Sequence, residues 1–198
     1  MRQTVTKLLL ASSSPYRRAL LEQLNLSAEY ESPSIDETPA PGESAADLAK
    51  RLAQQKVEAL KPYFPDHVII GSDQSACADG WLLNKPGSYD KAFAQLSACS
   101  GHLVTFYTGL CVYHGPSGQS DHHLVITEVA FRQLEDAQIR RYLEIEQPYD
   151  CAGSFKCEGL GISLFTKITS DDPTALIGLP LISLTASLSR FGLDPLGS

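Results

Sequence analysis

Four consecutive apolar residues, Leu8-Leu9-Leu10-Ala11, run straight into Ser12-Ser13-Ser14-Pro15, followed by Tyr16, Leu20 and Leu24 at fourfold spacing. This strand–turn–helix succession constrains the fold more than any other stretch. A continuous apolar run suits a strand buried on both faces rather than the alternating strand of a half-solvated sheet. Ser14 is a good N-cap, and Pro15 suits the first helical position, where its missing N–H costs nothing. The same first turn holds Arg17 and Arg18, two cations at the positive end of a helix dipole. A bound anion resolves that conflict. Free backbone N–H groups, the Ser12 and Ser14 hydroxyls and the two guanidinium groups would together make a phosphate cradle. The plainer reading is a capped helix with two solvated arginines, since the glycine- and lysine-bearing phosphate-loop motif is absent.

Further along, Ala28–Ser32 reads as a short strand and Pro33–Gly42 as a proline-rich loop carrying Asp36-Glu37. Ser44 caps a helix over 45–60, with Asp47 as its capping-box-like partner. Lys56 falls near the apolar face of that helix, where it either snorkels or aims into a cleft. His67–Ile70 is a second buried-strand run, ended by Gly71-Ser72-Asp73-Gln74. A carboxylate just after a buried strand lies where open α/β sheets place their ligands. Asp79-Gly80 reads as a hairpin turn, and Asn84-Lys85-Pro86 presents a second lysine near the same end.

A helix over 89–99 follows. Two long strands, Leu103–His114 and His122–Phe131, are joined by a loop over 115–121. His122 and His123, adjacent on a strand, face opposite sides and do not share a metal. A helix over 135–144 precedes Cys151–Gly161, a stretch rich in small residues that also carries Lys156 and Glu158. Ser163–Thr169 reads as a strand, Asp171-Asp172-Pro173 as a turn, and the last helix runs from about Pro180 to Gly192.

Composition narrows the partners. The 198 residues suit one domain, or two closely packed lobes, with a sizeable core. A net charge of −7 argues against a nucleic-acid polymer as partner, though not against a small anion in a local basic pocket. No apolar run reaches membrane-spanning length. The Thr4–Ala11 stretch is too short, and too soon polar, for a signal peptide. Five cysteines without a CxxC pair fit reduced, buried thiols in a cytoplasm rather than a disulfide framework or a zinc site.

The notable residues have complementary chemistry. Ser12, Ser14, Arg17 and Arg18 suit phosphate, while Glu37 and Asp73 suit a hard divalent cation. Lys56, Lys85 and Lys156 can neutralise charge on phosphoryl oxygens. Gln74 and Glu158 have edges able to read a base. Such sites commonly orient water for attack on phosphorus.

With these residues in order, the chain resembles the Maf-like nucleoside triphosphate pyrophosphatases over essentially its whole length. The shared motifs are LASSSPYRRALL, IDET around Asp36-Glu37, LAQQK ending at Lys56, IIGSDQ around Asp73 and NKP around Lys85. SGHLVTFYTGL, CAGSFKCEGLG and GLPL follow downstream. SDQ with AGSFKCEG looks like the branch acting on 7-methyl-GTP rather than dTTP or UTP.

The resemblance implies a single α/β domain over 1–198, with a mixed twisted sheet flanked by helices and two lobes around a central cleft. It also implies a divalent metal (Mg²⁺ or Mn²⁺) on Glu37 and Asp73, a cytoplasmic setting and often a homodimer. By resemblance Asp73 is the proton-accepting aspartate, and Tyr16, Gln74 and Glu158 match positions tied to substrate choice. Tyr16 stands where the branch is expected to carry tryptophan, and it keeps an aromatic face for stacking. Two other readings remain: a broader house-cleaning pyrophosphatase, and a non-enzymatic nucleotide-binding regulator of cell division.

Overall fold

A computed structural model describes residues 7–197. The first residues of the Thr4–Ala11 stretch therefore lie outside the described part. The opening apolar run forms β1 (Lys7–Ala11), buried from Leu8 onward, between β2 (Ala28–Glu31) and β3 (His67–Ala78). Both pairings are parallel, with Leu8 opposite Ala28 on one side and Val68 on the other. The connections carry α1 (Pro15–Glu22) and α2 (Ala45–Leu60). As expected, Ser14 caps α1 and Ser44 caps α2, each hydroxyl accepting from the backbone N–H three residues on.

Beyond β3 the sheet becomes antiparallel. β4 (Trp81–Leu83) folds back on the end of β3 through Asp79 and Gly80, both at positive φ as a two-residue hairpin requires. After α3 (Tyr89–Cys99), β5 (Leu103–His114) runs the length of β3, from Ala78 opposite Val104 to Val68 opposite His114. β6 (Gln119–Phe131), α4 (Asp136–Glu146), β7 (Phe165–Ser170) and α5 (Leu181–Arg190) complete the chain. The seven-stranded sheet has the order β2-β1-β3-β5-β6-β7, with β4 on β3.

Three cores sit on this sheet. On one face of its parallel end, Leu8, Leu10, Val68 and Ile70 pack under α1 and α5. On the opposite face, Leu9, Ile69 and Cys111 pack under α2 through Ala53 and Val57. The third core joins Phe106, Val129 and Phe131 to Leu96 of α3 and Ile139 and Leu143 of α4. The lobes are thus two packing units on one continuous sheet. Glycine sets how near α2 lies: a Cβ at Gly71 would overlap the Ala53 carbonyl, and one at Gly109 the Ala49 carbonyl.

Three readings need correction. β3 does not end at Ile70, because β5 continues to pair with it through Ala78 after β1 has stopped. β6 starts at Gln119, so the connection is Gly115–Gly118. Main-chain pairing with His114, Tyr113 and Val112 recruits Gln119–Asp121 despite their polarity. The strand expected from Ser163 starts at Phe165, because residues 160–164 coil as a 3₁₀ turn.

The acidic turn does more than reverse the chain. Asp172 is 1% exposed. One carboxylate oxygen accepts from the Thr174 N–H and hydroxyl, and the other accepts from the N–H groups of Ile182 and Ser183 at 2.8 and 3.1 Å, capping α5. Asp172→Ala strands those donors and is expected to lower unfolding free energy by roughly 2–4 kcal/mol, read from urea denaturation.

Candidate active site

A cleft of about 580 Å³ opens where β1 ends at Ala11. Along that edge of β3, β1 pairs as far as Ile70 and pairing with β4 begins only at Ala76. The intervening strand, which includes Asp73 and Gln74, borders the cleft and is held from the other side by β5. Asp73 therefore lies inside a strand, not in a loop after one, yet it still sits beyond the carboxyl end of a parallel neighbour. The crevice rule for open α/β sheets locates it correctly.

Alternation along β3 turns Asp73 to the side of Ile69 and Gly71, the side on which α2 packs. There it meets Lys56, whose Nζ lies 2.5 Å from Asp73 Oδ1 and 3.0 Å from Glu37 Oε1. Lys56 is 6% exposed and Asp73 9%, so Lys56 does not snorkel to solvent. Glu37 closes the group from the outer side, with its side chain 50% exposed. Burial pushes the Glu37 carboxyl up, but the charges of Lys56, Lys85 and Arg17 outweigh it. Its pKa lies below the ordinary glutamate value.

Arg17 and Arg18 separate. Arg17 lines the cleft, its Nε donating to the Gly178 carbonyl at 2.8 Å and its Nη1 reaching Ser12 Oγ at 3.5 Å. A carbonyl thus offsets part of the charge that the sequence left unexplained in the first turn of α1. Arg18 instead lies over the Tyr30 ring, 4.1 Å from its centroid, and is not part of the cleft wall. Ser12, Ser14 and the exposed Lys85 complete this cationic end.

The other end is acidic. Tyr16, Asp150, Cys151 and Glu158 line it together. Burial, followed by the neighbouring Cys151, Asp150 and Glu158, pushes the Tyr16 phenol up to about 12, so it is neutral at physiological pH. Tyr16 is a wall of the cleft and not part of the apolar cores, as its helical spacing first suggests. Lys156 is turned away, its Nζ donating to the Glu146 carbonyl at 3.0 Å. Gln74 lines the cleft, but its amide N–H₂ faces the Ala175 and Leu176 carbonyls and Thr108 Oγ1, which leaves only Oε1 for a ligand. Cys151 and Cys157 border the cleft, and Cys157 also packs against the third core. Burial first, then adjacent carboxylates, raise both thiols to about 12 and hold them protonated at neutral pH.

Two supports were not legible as site residues. Arg51 forks onto Glu43 at 2.6 and 2.7 Å and reaches the Thr38 carbonyl at 3.1 Å, tying the Glu37 loop to α2. Gly178, at φ 116°, brings its carbonyl onto Arg17 and within 2.9 Å of the Ser72 hydroxyl. An arginine eight residues from a glutamate, and a glycine before Leu-Pro, are too common in sequence to stand out. As to a metal, the described residues hold no group of three side chains able to ligate one. Glu37 and Asp73 nevertheless flank the same Lys56 ammonium, which engages one oxygen of each, and two carboxylates completed by substrate phosphates and water are a usual donor set for Mg²⁺.

The family model described as Maf-like protein matches residues 7–191. A protein of Bordetella avium named 7-methyl-GTP pyrophosphatase is 53% identical over 193 residues, covering 97% of this chain and 96% of its own. Proteins of the same name from Cupriavidus pinatubonensis and Pseudomonas syringae pv. tomato are each 52% identical. Each alignment covers 94% of this chain, and respectively 94% and 97% of the relative.

Proposed function

We propose a reaction for this cleft from the premise that the chain belongs to the Maf-like protein family: hydrolysis of 7-methyl-GTP to 7-methyl-GMP and pyrophosphate. The observation that carries it is that one cleft holds two charged clusters, one around three cations and one around two carboxylates. Arg17, Lys56 and Lys85 lie on the triphosphate side. Asp150 and Glu158 both act on Tyr16 and with it form the acidic cluster. A polyanionic tail joined to a cationic ring is the ligand such a cleft fits.

The residues divide the work. Arg17, Lys85 and the Ser12 and Ser14 hydroxyls hold the triphosphate. Lys56 engages Asp73 Oδ1, which leaves the second carboxylate oxygen, with its two lone pairs, to take a proton from water beside the cation. The water oxygen bonds to the α-phosphorus, the bond from that phosphorus to the bridging oxygen breaks, and pyrophosphate departs with the electron pair. A divalent cation on Glu37 and Asp73 would supply charge neutralisation on the phosphoryl oxygens. Tyr16 stacks on the base. The positive 7-methylguanine ring strengthens that contact by roughly 0.5–2 kcal/mol over guanine. The proposal includes a cytoplasmic setting, which five unbridged thiols suit, and a homodimer, which sedimentation velocity tests.

The direct test is metal-dependent release of pyrophosphate from 7-methyl-GTP, GTP, dTTP, UTP and inosine triphosphate. Preference for 7-methyl-GTP is expected. Similar rates across several altered bases would favour a broad house-cleaning role, and saturable binding without turnover would favour a regulator. Glu158→Gln is expected to lower the 7-methyl-GTP to GTP ratio of kcat/KM by about three- to tenfold, since one charge facing the ring is lost at a partly solvated position. An unchanged ratio removes Glu158 from base reading.

A further inference from the structure

Two loops of the cleft carry different tasks in the reaction proposed above. One, Asn84-Lys85-Pro86-Gly87, presents a triphosphate lysine, and the other, Cys151–Glu158, forms the acidic base-facing wall. They are far apart in sequence, and neither is a regular strand or α-helix. Gln95, on α3 and outside the cleft lining, bonds to both. Its Nε2 donates to the Asn84 carbonyl at 3.0 Å, and its Oε1 accepts from the Ser154 hydroxyl at 2.5 Å. Ser154 is fully buried and held at φ 60°, a conformation unusual for a non-glycine residue, so its hydroxyl depends on this acceptor. A backbone bond from the Gly87 N–H to the Tyr149 carbonyl at 3.0 Å runs beside it.

We propose that Gln95 is a positioning residue that yokes the base-reading loop to the loop carrying Lys85, so that filling the base end sets where the lysine meets the triphosphate. The amide suits this task because it offers a donor and an acceptor from one rigid plane, one to each loop. A displacement of either loop is passed to the other through a side chain anchored on a helix. The inference rests on the proposed reaction for its catalytic consequence, but the tether itself is a property of the fold.

The two arms separate cleanly by substitution. Gln95→Glu keeps an acceptor for Ser154 and replaces the donor to the Asn84 carbonyl with a carboxylate oxygen. Ser154→Ala removes the other arm. Gln95→Glu is expected to lower kcat on 7-methyl-GTP roughly ten- to a hundredfold, the range for misplacing a charge-stabilising group, with the preference over GTP kept. Ser154→Ala is expected to lower that preference. In a Lys85→Ala background, Gln95→Glu is expected to change kcat by less than about twofold, because the group it positions is already gone.

Hydrogen exchange reads the tether without any reaction. Gln95→Ala is expected to speed exchange at Gly87 and at residues 151–158 together, while the amides of α2 and β5 keep their protection. Unchanged exchange at both loops, or a full Gln95→Glu penalty in the Lys85→Ala background, overturns the proposal. An inactive wild-type protein would instead overturn the proposed reaction, and exchange would still decide the yoke.

Discussion

Asp73→Asn is expected to lower kcat about a thousandfold with the fold intact. General acid–base groups contribute roughly 10²- to 10⁴-fold, and Asp73 is the one carboxylate of the cleft both buried and paired with Lys56. The substitution preserves shape and leaves one oxygen to accept from Lys56. It removes the basicity that takes the proton from water. Stability should fall little, because Lys56 keeps Glu37 at 3.0 Å as a charged partner. Pyrophosphate release measured beside a urea melt separates the two effects. Near-normal turnover in a folded Asp73→Asn protein would sink the assignment.

Lys56→Met is expected to damage both properties. It removes the cation shared by Asp73 and Glu37, leaving a carboxylate that is 9% exposed without its counter-charge. Breaking a buried pair on one side typically costs roughly 3–5 kcal/mol, more than the pair itself contributes, because the stranded charge stays desolvated. Turnover is expected to fall at least a hundredfold, since Asp73 and the triphosphate both lose a fixed positive neighbour. The double variant Lys56→Met with Asp73→Asn should regain much of the lost stability and none of the activity. If it stays as unstable as the single variant, the loss comes from packing of the methylene stem against α2 and not from charge.

Acid probes the same group from outside. Burial raises the Glu37 carboxyl, but Lys56, Lys85 and Arg17 bring it below its ordinary value. The folded state therefore binds this proton less readily than the unfolded chain does. The stability from its pairing is fully present above about pH 4.5 and is lost as pH falls through the lowered value. Half-exposure keeps that contribution small.

Much of the fold was legible because local rules and tertiary packing agree. Leu8–Ala11 is apolar without alternation and becomes a strand covered on both faces. Ser14 and Ser44 each cap the helix they precede. Asp79-Gly80 is a pair that a two-residue turn with both residues at positive φ favours. Length was harder: β3 passes Ile70 into polar residues because β5 supplies a ladder that no local pattern announces.

The site divides the same way. By itself the sequence determined which chemical groups exist and which are locally aligned: a capped helix start beside serines and arginines, a lysine on the inner side of α2, a carboxylate past an apolar strand. Only the tertiary structure decided which of them meet. Two arginines adjacent in sequence part company, Arg17 to the Gly178 carbonyl and Arg18 to the Tyr30 ring. Lys156 leaves the cleft for the end of α4. Lys56 and Asp73, on a helix and a strand, meet because Gly71 and Gly109 let α2 approach the sheet closely. Periodicity reports the direction of a side chain from its own element. Whether two such directions converge depends on the distance between elements, which long-range packing sets.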